Sequence, residues 1–162
     1  MLETNRDFLF EPIIIEQGHL DLSEDFIKGV KNWCMKNGVY DEPHSFTTTY
    51  RTELQAHDVD WIYDAIMNIA PKNQFMDSWV QVYDVGGYHP PHSHYGGGIV
   101  KVSGCLYLTD GISTHFQNPL YPDQIATNNM ITAGDVLFWD PAIYHFSPPV
   151  RGERAILAFN LK

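Results

Sequence analysis

Apolar residues in the first third of the chain recur at helical spacing. One stripe consists of Leu22, Phe26, Val30, Trp33 and Cys34. Asp21 or Ser23 can cap the N-terminus of this helix, and Gly38 can end it. A second stripe follows Asp58, contains Ile62, Ile66 and Ile69, and ends before Pro71. Two amphipathic helices of this kind predict a buttress with no chemistry of its own.

From Trp79 onward the pattern changes to short strand-like runs separated by Gly and Pro. They cover residues 79–83, 99–109, 114–117, 135–139 and 154–160, and an earlier apolar run at 13–15 predicts one more strand. The expected fold class is mainly β (α+β), a double-sheet jelly roll buttressed by two N-terminal helices. We expect one domain over residues 1–162, with the helical buttress at about 1–75 and the jelly-roll core at about 76–162.

Composition narrows the possible functions. The 20 acidic and 10 basic residues give a formal net charge of −10, which disfavours binding to nucleic acids and anionic membranes. Cys34 and Cys105 are too few and too far apart to form a disulfide framework. The N-terminal apolar run is too short for a signal peptide or a membrane span. We therefore expect a soluble, cytoplasmic protein; the sequence leaves its oligomeric state open.

Three histidines form the candidate metal site. His92 and His94 are separated by one residue, so on extended backbone both side chains can point the same way and share a cation. His145, from a distant strand, would be the third ligand. Three protein ligands on one face of an ion leave the opposite positions open for small molecules, as in non-haem Fe(II) oxygenases.

The residues around these histidines resemble the Fe(II)/2-oxoglutarate-dependent dioxygenases, especially the prolyl 4-hydroxylase-like branch and the small phage-type members. The upstream half of the family pattern is matched by Tyr83, Gly86, Tyr88, Pro91 and His92. The downstream half is matched by Gly134, Asp135, Leu137, Phe138, Trp139, His145, Pro149, Val150 and Gly152. The resemblance covers about half of the chain.

This resemblance implies a double-stranded β-helix that uses Fe(II), 2-oxoglutarate as cosubstrate and O2. The implied reaction is hydroxylation of an unactivated C–H bond, with succinate and CO2 as coproducts. The implied substrate is a prolyl or other peptidyl residue, with a free amino acid or another small molecule as the alternative. No catalytic residue beyond the metal centre is implied.

The sequence departs from the family pattern at two positions. His94 stands where the family usually has an aspartate, and Asp84 or Asp140 remains a possible replacement carboxylate. Arg154 stands where prolyl hydroxylases use a lysine to hold the far carboxylate of 2-oxoglutarate. Arg154 lies nine residues beyond His145, and its planar guanidinium can hold a carboxylate through two hydrogen bonds. Tyr83 would add a phenolic donor to the same carboxylate.

Other functions are compatible with three histidines. One is a cupin-like three-His domain that binds a metal without oxidative turnover; another is a Zn-dependent hydrolase. His89 could replace a ligand, contact substrate or face solvent, and His115 could line the pocket or be a hydrogen-bonded core residue. We expect Asn160 and the Trp139 ring to be structural.

Overall fold

The computed structural model describes residues 15–95, 98–118, 121, 123–127 and 130–162. The N-terminal half contains β1 (Ile15–His19), α1 (Glu24–Asn37), β2 (Val39–Asp41), β3 (Phe46–Thr48), α2 (Asp60–Ile66) and β4 (Phe75–Tyr83). The remainder contains β5 (His89–His92), β6 (Val102–Tyr107), β7 (His115–Gln117), β8 (Ile125–Thr127), β9 (Asp135–Trp139), β10 (His145–Ser147) and β11 (Arg154–Leu161). Of the predicted strand at 13–15, only residue 15 lies within the described residues, and it begins β1.

Helix α1 confirms its predicted ends. The Ser23 hydroxyl accepts a hydrogen bond from the Phe26 backbone N–H at 3.2 Å, and the Gly38 N–H donates to the Cys34 carbonyl at 2.7 Å. Helix α2 is shorter than predicted and ends at Ile66. The Ile69 N–H donates to the Ile66 carbonyl three residues back, a 3-10-type bond that tightens the chain after the helix.

The strands form two antiparallel sheets, as the sequence predicted. The major sheet has seven strands in the order β1-β9-β6-β11-β4-β3-β2, and the minor sheet has four in the order β5-β10-β7-β8. The architecture is a double-stranded β-helix. The region before residue 75 supplies three strands to the major sheet as well as the two helices.

Strand β11 separates the two halves of the hydrophobic core. Its residues Ala155, Leu157 and Phe159 pack with the helices in one cluster. Ile156 and Ala158 belong to the second cluster, which lies between the sheets. Because side chains alternate along a strand, Arg154 and Asn160 share the inner face with Ile156 and Ala158. This face lines the candidate active site.

We expect Gly104→Ala to destabilise the protein strongly. A Cβ at Gly104 would lie 2.5 Å from the Phe159 ring and 2.6 Å from the Leu137 carbonyl oxygen. The backbone oxygen cannot move away, so overpacking should lower the free energy of unfolding by about 3 kcal/mol. Urea denaturation measures this loss. Gly152→Ala is the matched control, since no atom of the described part of the chain lies within 4 Å of its added Cβ; equal stability of both variants would contradict the expectation.

Candidate active site

The minor sheet places two of the three histidines side by side. His92 ends β5, His145 begins β10, and the two residues are direct cross-strand partners. His94 lies two residues beyond β5. Its backbone N–H donates to the Pro141 carbonyl at 2.9 Å, which fixes the loop that carries it.

The side chains of His92, His94 and His145 converge on one point. One ligand atom from each lies within 4.8 Å of the other two. The Nε2 atoms of His92 and His94 are 3.1 Å apart. Two imidazoles bound cis to one ion at about 2.1 Å would have their nitrogens about 3 Å apart. The spacing therefore suits a shared metal ion.

The Nδ1 atom of each histidine faces a hydrogen-bond acceptor. His92 Nδ1 lies 2.9 Å from the Pro90 carbonyl, and His145 Nδ1 lies 3.1 Å from the Ile143 carbonyl. His94 Nδ1 lies 2.8 Å from Asn160 Oδ1. Because a carbonyl oxygen can only accept, each Nδ1 must carry the proton and each Nε2 keeps its lone pair. All three rings are thus in the tautomer that binds a metal through Nε2.

Burial keeps these imidazoles neutral. It lowers the pKa of His92 to about 4 and that of His145 to about 2, and in both cases neighbouring histidines add to the effect. Burial also lowers the pKa of His94. A neutral imidazole is the form that coordinates a metal, so the site is ready for a cation at neutral pH.

The same burial predicts a pH-dependent stability for the metal-free protein. Unfolded histidines bind protons near pH 6.5, whereas folded His92 does not until about pH 4. Above about pH 6.5 His92 is neutral in both states. As the pH falls toward the folded pKa, the unfolded state binds a proton that the folded state does not, and the free energy of unfolding decreases. We expect the free energy of unfolding, measured by urea denaturation, to decrease between about pH 7 and pH 5. His92→Gln should flatten this slope; an unchanged slope would contradict the assignment.

Arg154 lies at the other end of the cavity that the histidines line. Its side chain is buried, with the residue only 4% exposed. Nη2 donates to Thr114 Oγ1 at 3.3 Å, but Nε and Nη1 have no partner within the described residues. The guanidinium carbon lies 5.0 Å from the Tyr83 ring centre and 5.8 Å from that of Tyr107. A buried guanidinium with free donors is costly unless an anion joins it.

Tyr83 is buried beside Arg154. The two residues are cross-strand partners on β4 and β11. The Tyr83 hydroxyl donates to Gln81 Oε1 at 3.1 Å; its donation to a bound carboxylate stays a prediction. Burial raises the pKa of Tyr83 to about 12, which keeps the hydroxyl protonated. Gln81 also lines the cavity and was not singled out from the sequence.

Neither alternative carboxylate joins the histidines. Asp84 is exposed and accepts a hydrogen bond from the Tyr40 hydroxyl at 2.9 Å. Asp140 is also exposed, and its carboxylate accepts from the Ala142 backbone N–H at 2.8 Å. In the described part of the chain, the ligand cluster consists of His92, His94 and His145 and contains no carboxylate.

His89 and His115, whose roles the sequence left open, occupy different positions relative to the cavity. In a regular strand His89 and His92, three residues apart, would face opposite sides. Between the pairs Ser147–His89 and His145–His92, however, β5 has one more residue than β10. This bulge turns His89 into the cavity, with its ring centre 4.2 Å from that of His92. His115 contacts Phe146 and is not among the cavity-lining residues.

Comparison with known proteins identifies structures of similar fold. No protein-family model and no curated protein matches the sequence. A prolyl-4-hydroxylase from Pseudomonas putida is similar in structure, with a TM-score of 0.59, 16% identity and 91% of each chain covered. HygX from Streptomyces hygroscopicus, solved with nickel, 2-oxoglutarate and hygromycin B, superposes with a TM-score of 0.66 and 11% identity over 91% of this chain and 82% of HygX. The α-ketoglutarate-dependent epimerase SnoN of nogalamycin biosynthesis gives a TM-score of 0.60 and 11% identity over 90% and 77%.

This chain has the fold of the Fe(II)/2-oxoglutarate-dependent oxygenases. The structural neighbours are consistently members of that group, so the resemblance stated from the sequence is confirmed at the level of fold. In this oxygenase fold the histidine cluster and Arg154 occupy the space between the two sheets. No helix in the described part of the chain is both long and apolar enough to cross a membrane.

Several polar residues of the site were not predicted from the sequence. Thr114 contacts Arg154, and Ser103 and Asn160 contact His94. The contacts of Ser103 and Asn160 depend on the pairing of β6 and β11, which joins these two residues across 57 positions. Thr114 and Arg154 are 40 positions apart. One signal was available: Asn160 lies six residues after Arg154, so on a regular strand both must share a face.

Proposed function

We propose that this protein is an Fe(II)/2-oxoglutarate-dependent dioxygenase that hydroxylates an unactivated C–H bond. The observation that carries the proposal is the guanidinium of Arg154. It is buried at one end of a cavity, and two of its nitrogens have no partner among the described residues; three Nε2 lone pairs converge at the other end. A small dianion that both chelates a metal and ends in a carboxylate matches these two features.

The residues present fit both groups. His92, His94 and His145 would hold Fe(II), and Arg154 would hold the far carboxylate of 2-oxoglutarate, assisted by Thr114. When bound, Fe(II) with 2-oxoglutarate and O2 supplies the oxidising power for C–H hydroxylation. The protein provides no further acid or base for the reaction in this proposal.

The protein's own contribution is to orient ligands and exclude water. Arg154 offers Nε and Nη1 to an incoming carboxylate, and the Tyr83 ring packs beside the guanidinium and limits its movement. Trp79, Trp139 and Ile156 line the same cavity. These apolar walls strengthen the charge-assisted bonds of Arg154, because electrostatic interactions are stronger where water is excluded.

The charge of the site also favours an anionic cosubstrate. Three neutral imidazoles leave the full charge of a divalent cation unbalanced, whereas a carboxylate ligand would remove one unit. The buried Arg154 adds a further positive charge. A doubly negative cosubstrate then offsets two of these three positive charges, which makes 2-oxoglutarate a better match than a neutral ligand.

For the substrate we propose a prolyl or other peptidyl residue, with a free amino acid or small metabolite as the alternative. The proposal is supported by the resemblance of the ligand region to prolyl 4-hydroxylases and by the structural similarity to the Pseudomonas putida prolyl-4-hydroxylase. HygX, which is structurally similar too, was solved with hygromycin B, so a non-peptide substrate belongs in any screen.

The direct test is turnover of 2-oxoglutarate coupled to mass spectrometry. The protein is incubated with Fe(II), ascorbate, O2 and a panel of peptides and metabolites, and succinate is measured alongside the products. We expect succinate release and a gain of one oxygen on a prolyl or other peptide. No succinate with any substrate, together with no binding of 2-oxoglutarate, would refute the proposal.

A second candidate is a three-His metal-binding domain without oxidative turnover. It is favoured by the composition of the ligand cluster, which contains no carboxylate from the residues that the structure describes and so differs from the usual oxygenase centre. Anaerobic addition of Fe(II) and 2-oxoglutarate distinguishes the two. An oxygenase should give a weak visible charge-transfer band, whereas a simple metal-binding domain should give neither the band nor succinate.

His89 should affect the reaction without affecting the metal. Its ring lines the cavity, but it does not belong to the ligand cluster. We expect His89→Ala to leave the Co(II) affinity within about threefold of the native value, while kcat/KM falls roughly 10-fold through loss of a polar contact. Isothermal titration and succinate release measure the two quantities. A loss of metal affinity would instead make His89 a ligand.

A further inference from the structure

Ser103 and Asn160 form a polar pair on the inner face of the major sheet. They are cross-strand partners on β6 and β11. Both are buried: Ser103 is 0% and Asn160 4% exposed. The Ser103 hydroxyl donates to Asn160 Oδ1 at 2.6 Å. The neighbours of Asn160 on the same strand face, Ala158 and Ile156, are apolar, so two polar residues at this point require an explanation.

The pair contacts the third candidate ligand. His94 Nδ1 lies 2.8 Å from Asn160 Oδ1 and 3.2 Å from Ser103 Oγ. The corresponding atoms of His92 and His145 face backbone carbonyls of residues two positions earlier in the chain. His94 is therefore the one ligand of the three whose ring is oriented by side chains from another sheet. It is also the ligand that stands where the resembled family usually has an aspartate.

Asp77 lies beside Asn160 on the neighbouring strand. Asp77 is the partner of Asn160 on β4, on the opposite side from Ser103. Burial raises the pKa of Asp77, and a hydrogen bond from the Asn160 side chain opposes that effect. Asn160 Oδ1 faces His94 Nδ1 at 2.8 Å and accepts from the Ser103 hydroxyl at 2.6 Å, so the NH2 group is the end of the amide that can donate to a carboxylate such as that of Asp77. Oδ1 can only accept, and His94 Nδ1 must then be the donor.

We propose that Ser103 and Asn160, with Asp77 behind them, are positioning residues that adapt this oxygenase fold to a third histidine ligand. They hold the His94 ring in the Nδ1–H tautomer and aim its Nε2 lone pair at the point where those of His92 and His145 converge. The purpose of this arrangement, metal binding, rests on the proposed function. The tautomer itself can be tested without any metal.

The arrangement suits histidine and not aspartate at position 94. An imidazole needs an acceptor behind it, because its distal nitrogen carries a proton when the near one binds a metal. Asn160 Oδ1 and Ser103 Oγ supply that acceptor. An aspartate at position 94 has a shorter side chain. Its carboxylate would also place an accepting oxygen opposite Asn160 Oδ1, which is itself an acceptor. The acceptor pair and His94 therefore form one unit.

The first experiment reads the tautomer directly in the metal-free protein. Long-range 1H–15N NMR correlations of the imidazole distinguish protonation at Nδ1 from protonation at Nε2. We expect His94 to be protonated at Nδ1 in the native protein and the proton to redistribute toward Nε2 in Asn160→Leu. An unchanged tautomer in that variant would overturn the proposal, whether or not the protein binds any metal.

The second experiment measures Co(II) affinity by titration. Partners that orient metal-bound histidines typically contribute 10- to 100-fold to affinity, so we expect losses of about that size in Asn160→Leu and a smaller loss in Ser103→Ala. Ser78→Ala is the matched control, because Ser78 is also a fully buried serine of the major sheet but hydrogen-bonds to His57. Circular dichroism and thermal unfolding establish that each variant is folded.

An exchange of the Asp77 and Asn160 side chains provides the rescue. Asp77→Asn combined with Asn160→Asp keeps the total charge and still presents an accepting oxygen to His94. We expect this double variant to restore the Nδ1–H tautomer and to bind Co(II) at least as tightly as the native protein. If the exchange behaves like Asn160→Leu, or if Asn160→Leu binds Co(II) within twofold of the native value, the positioning role is refuted. A native protein that binds no Co(II) would instead refute the proposed function and leave the tautomer result standing.

Discussion

Replacing His145 with alanine should abolish metal binding and turnover. His145 is 5% exposed, and its ring centre lies 4.4 Å from that of His92 and 4.9 Å from that of His94. Without it only two imidazoles face the ion. Removal of an outer partner already costs up to about 100-fold in affinity, so loss of a ligand should exceed that. Co(II) titration and Fe(II)-dependent succinate release measure the two effects.

His115→Ala is the matched control for this variant. His115 lies on the adjacent strand β7 and pairs with Phe146, next to His145, yet it does not line the cavity. The control should retain the Co(II) affinity of the native protein. A His145→Ala protein that is folded and binds Co(II) within tenfold of the native value would show that the metal is held elsewhere.

Replacing Arg154 with alanine should raise the KM for 2-oxoglutarate by at least about 100-fold. Two charge-assisted hydrogen bonds contribute about 1.5–3 kcal/mol each, and 1.4 kcal/mol corresponds to a factor of ten. The metal ligands are untouched, so Co(II) affinity without cosubstrate should stay native. Initial rates of succinate formation across 2-oxoglutarate concentrations give the KM.

Two further variants sharpen the result for Arg154. Arg154→Lys keeps the positive charge but replaces the planar pair of donors with a single ammonium group, and should recover part of the affinity. Arg151→Ala removes an exposed arginine three residues away and should change nothing. Equal KM values for Arg154→Ala and Arg151→Ala would mean that the buried guanidinium serves the fold alone.

Much of the fold could be predicted because the relevant signals are local. The Ser23 cap, the apolar stripe of α1 and the alternation along β11 each depend on neighbours within a few residues. The convergence of His92 and His94 follows from their spacing. The buried position of Arg154 was also expected, because this residue begins an apolar strand; its binding of a carboxylate stays a prediction.

Other features depend on pairing that the sequence does not display. Strands β5 and β10 are short, and β5 contains two prolines, so neither has a strand-like pattern. The bulge that turns His89 inward results from a mismatch between these two strands. The contact of Asn160 with His94 spans 66 residues and depends on the register of β11. We expected Asn160 to be structural, and its hydrogen bond to a candidate ligand became visible only in three dimensions.

The alternation of β11 makes the length of this strand critical. Arg154 and Asn160 sit at its two ends, on the same side, with five residues between them. Deleting or inserting one residue between them would rotate one end relative to the other and turn either the guanidinium or the amide toward the helices. Changes of loop length elsewhere in the chain would leave this relation intact. Natural length variation among close homologues should therefore be absent between positions 154 and 160, even where substitutions are accepted.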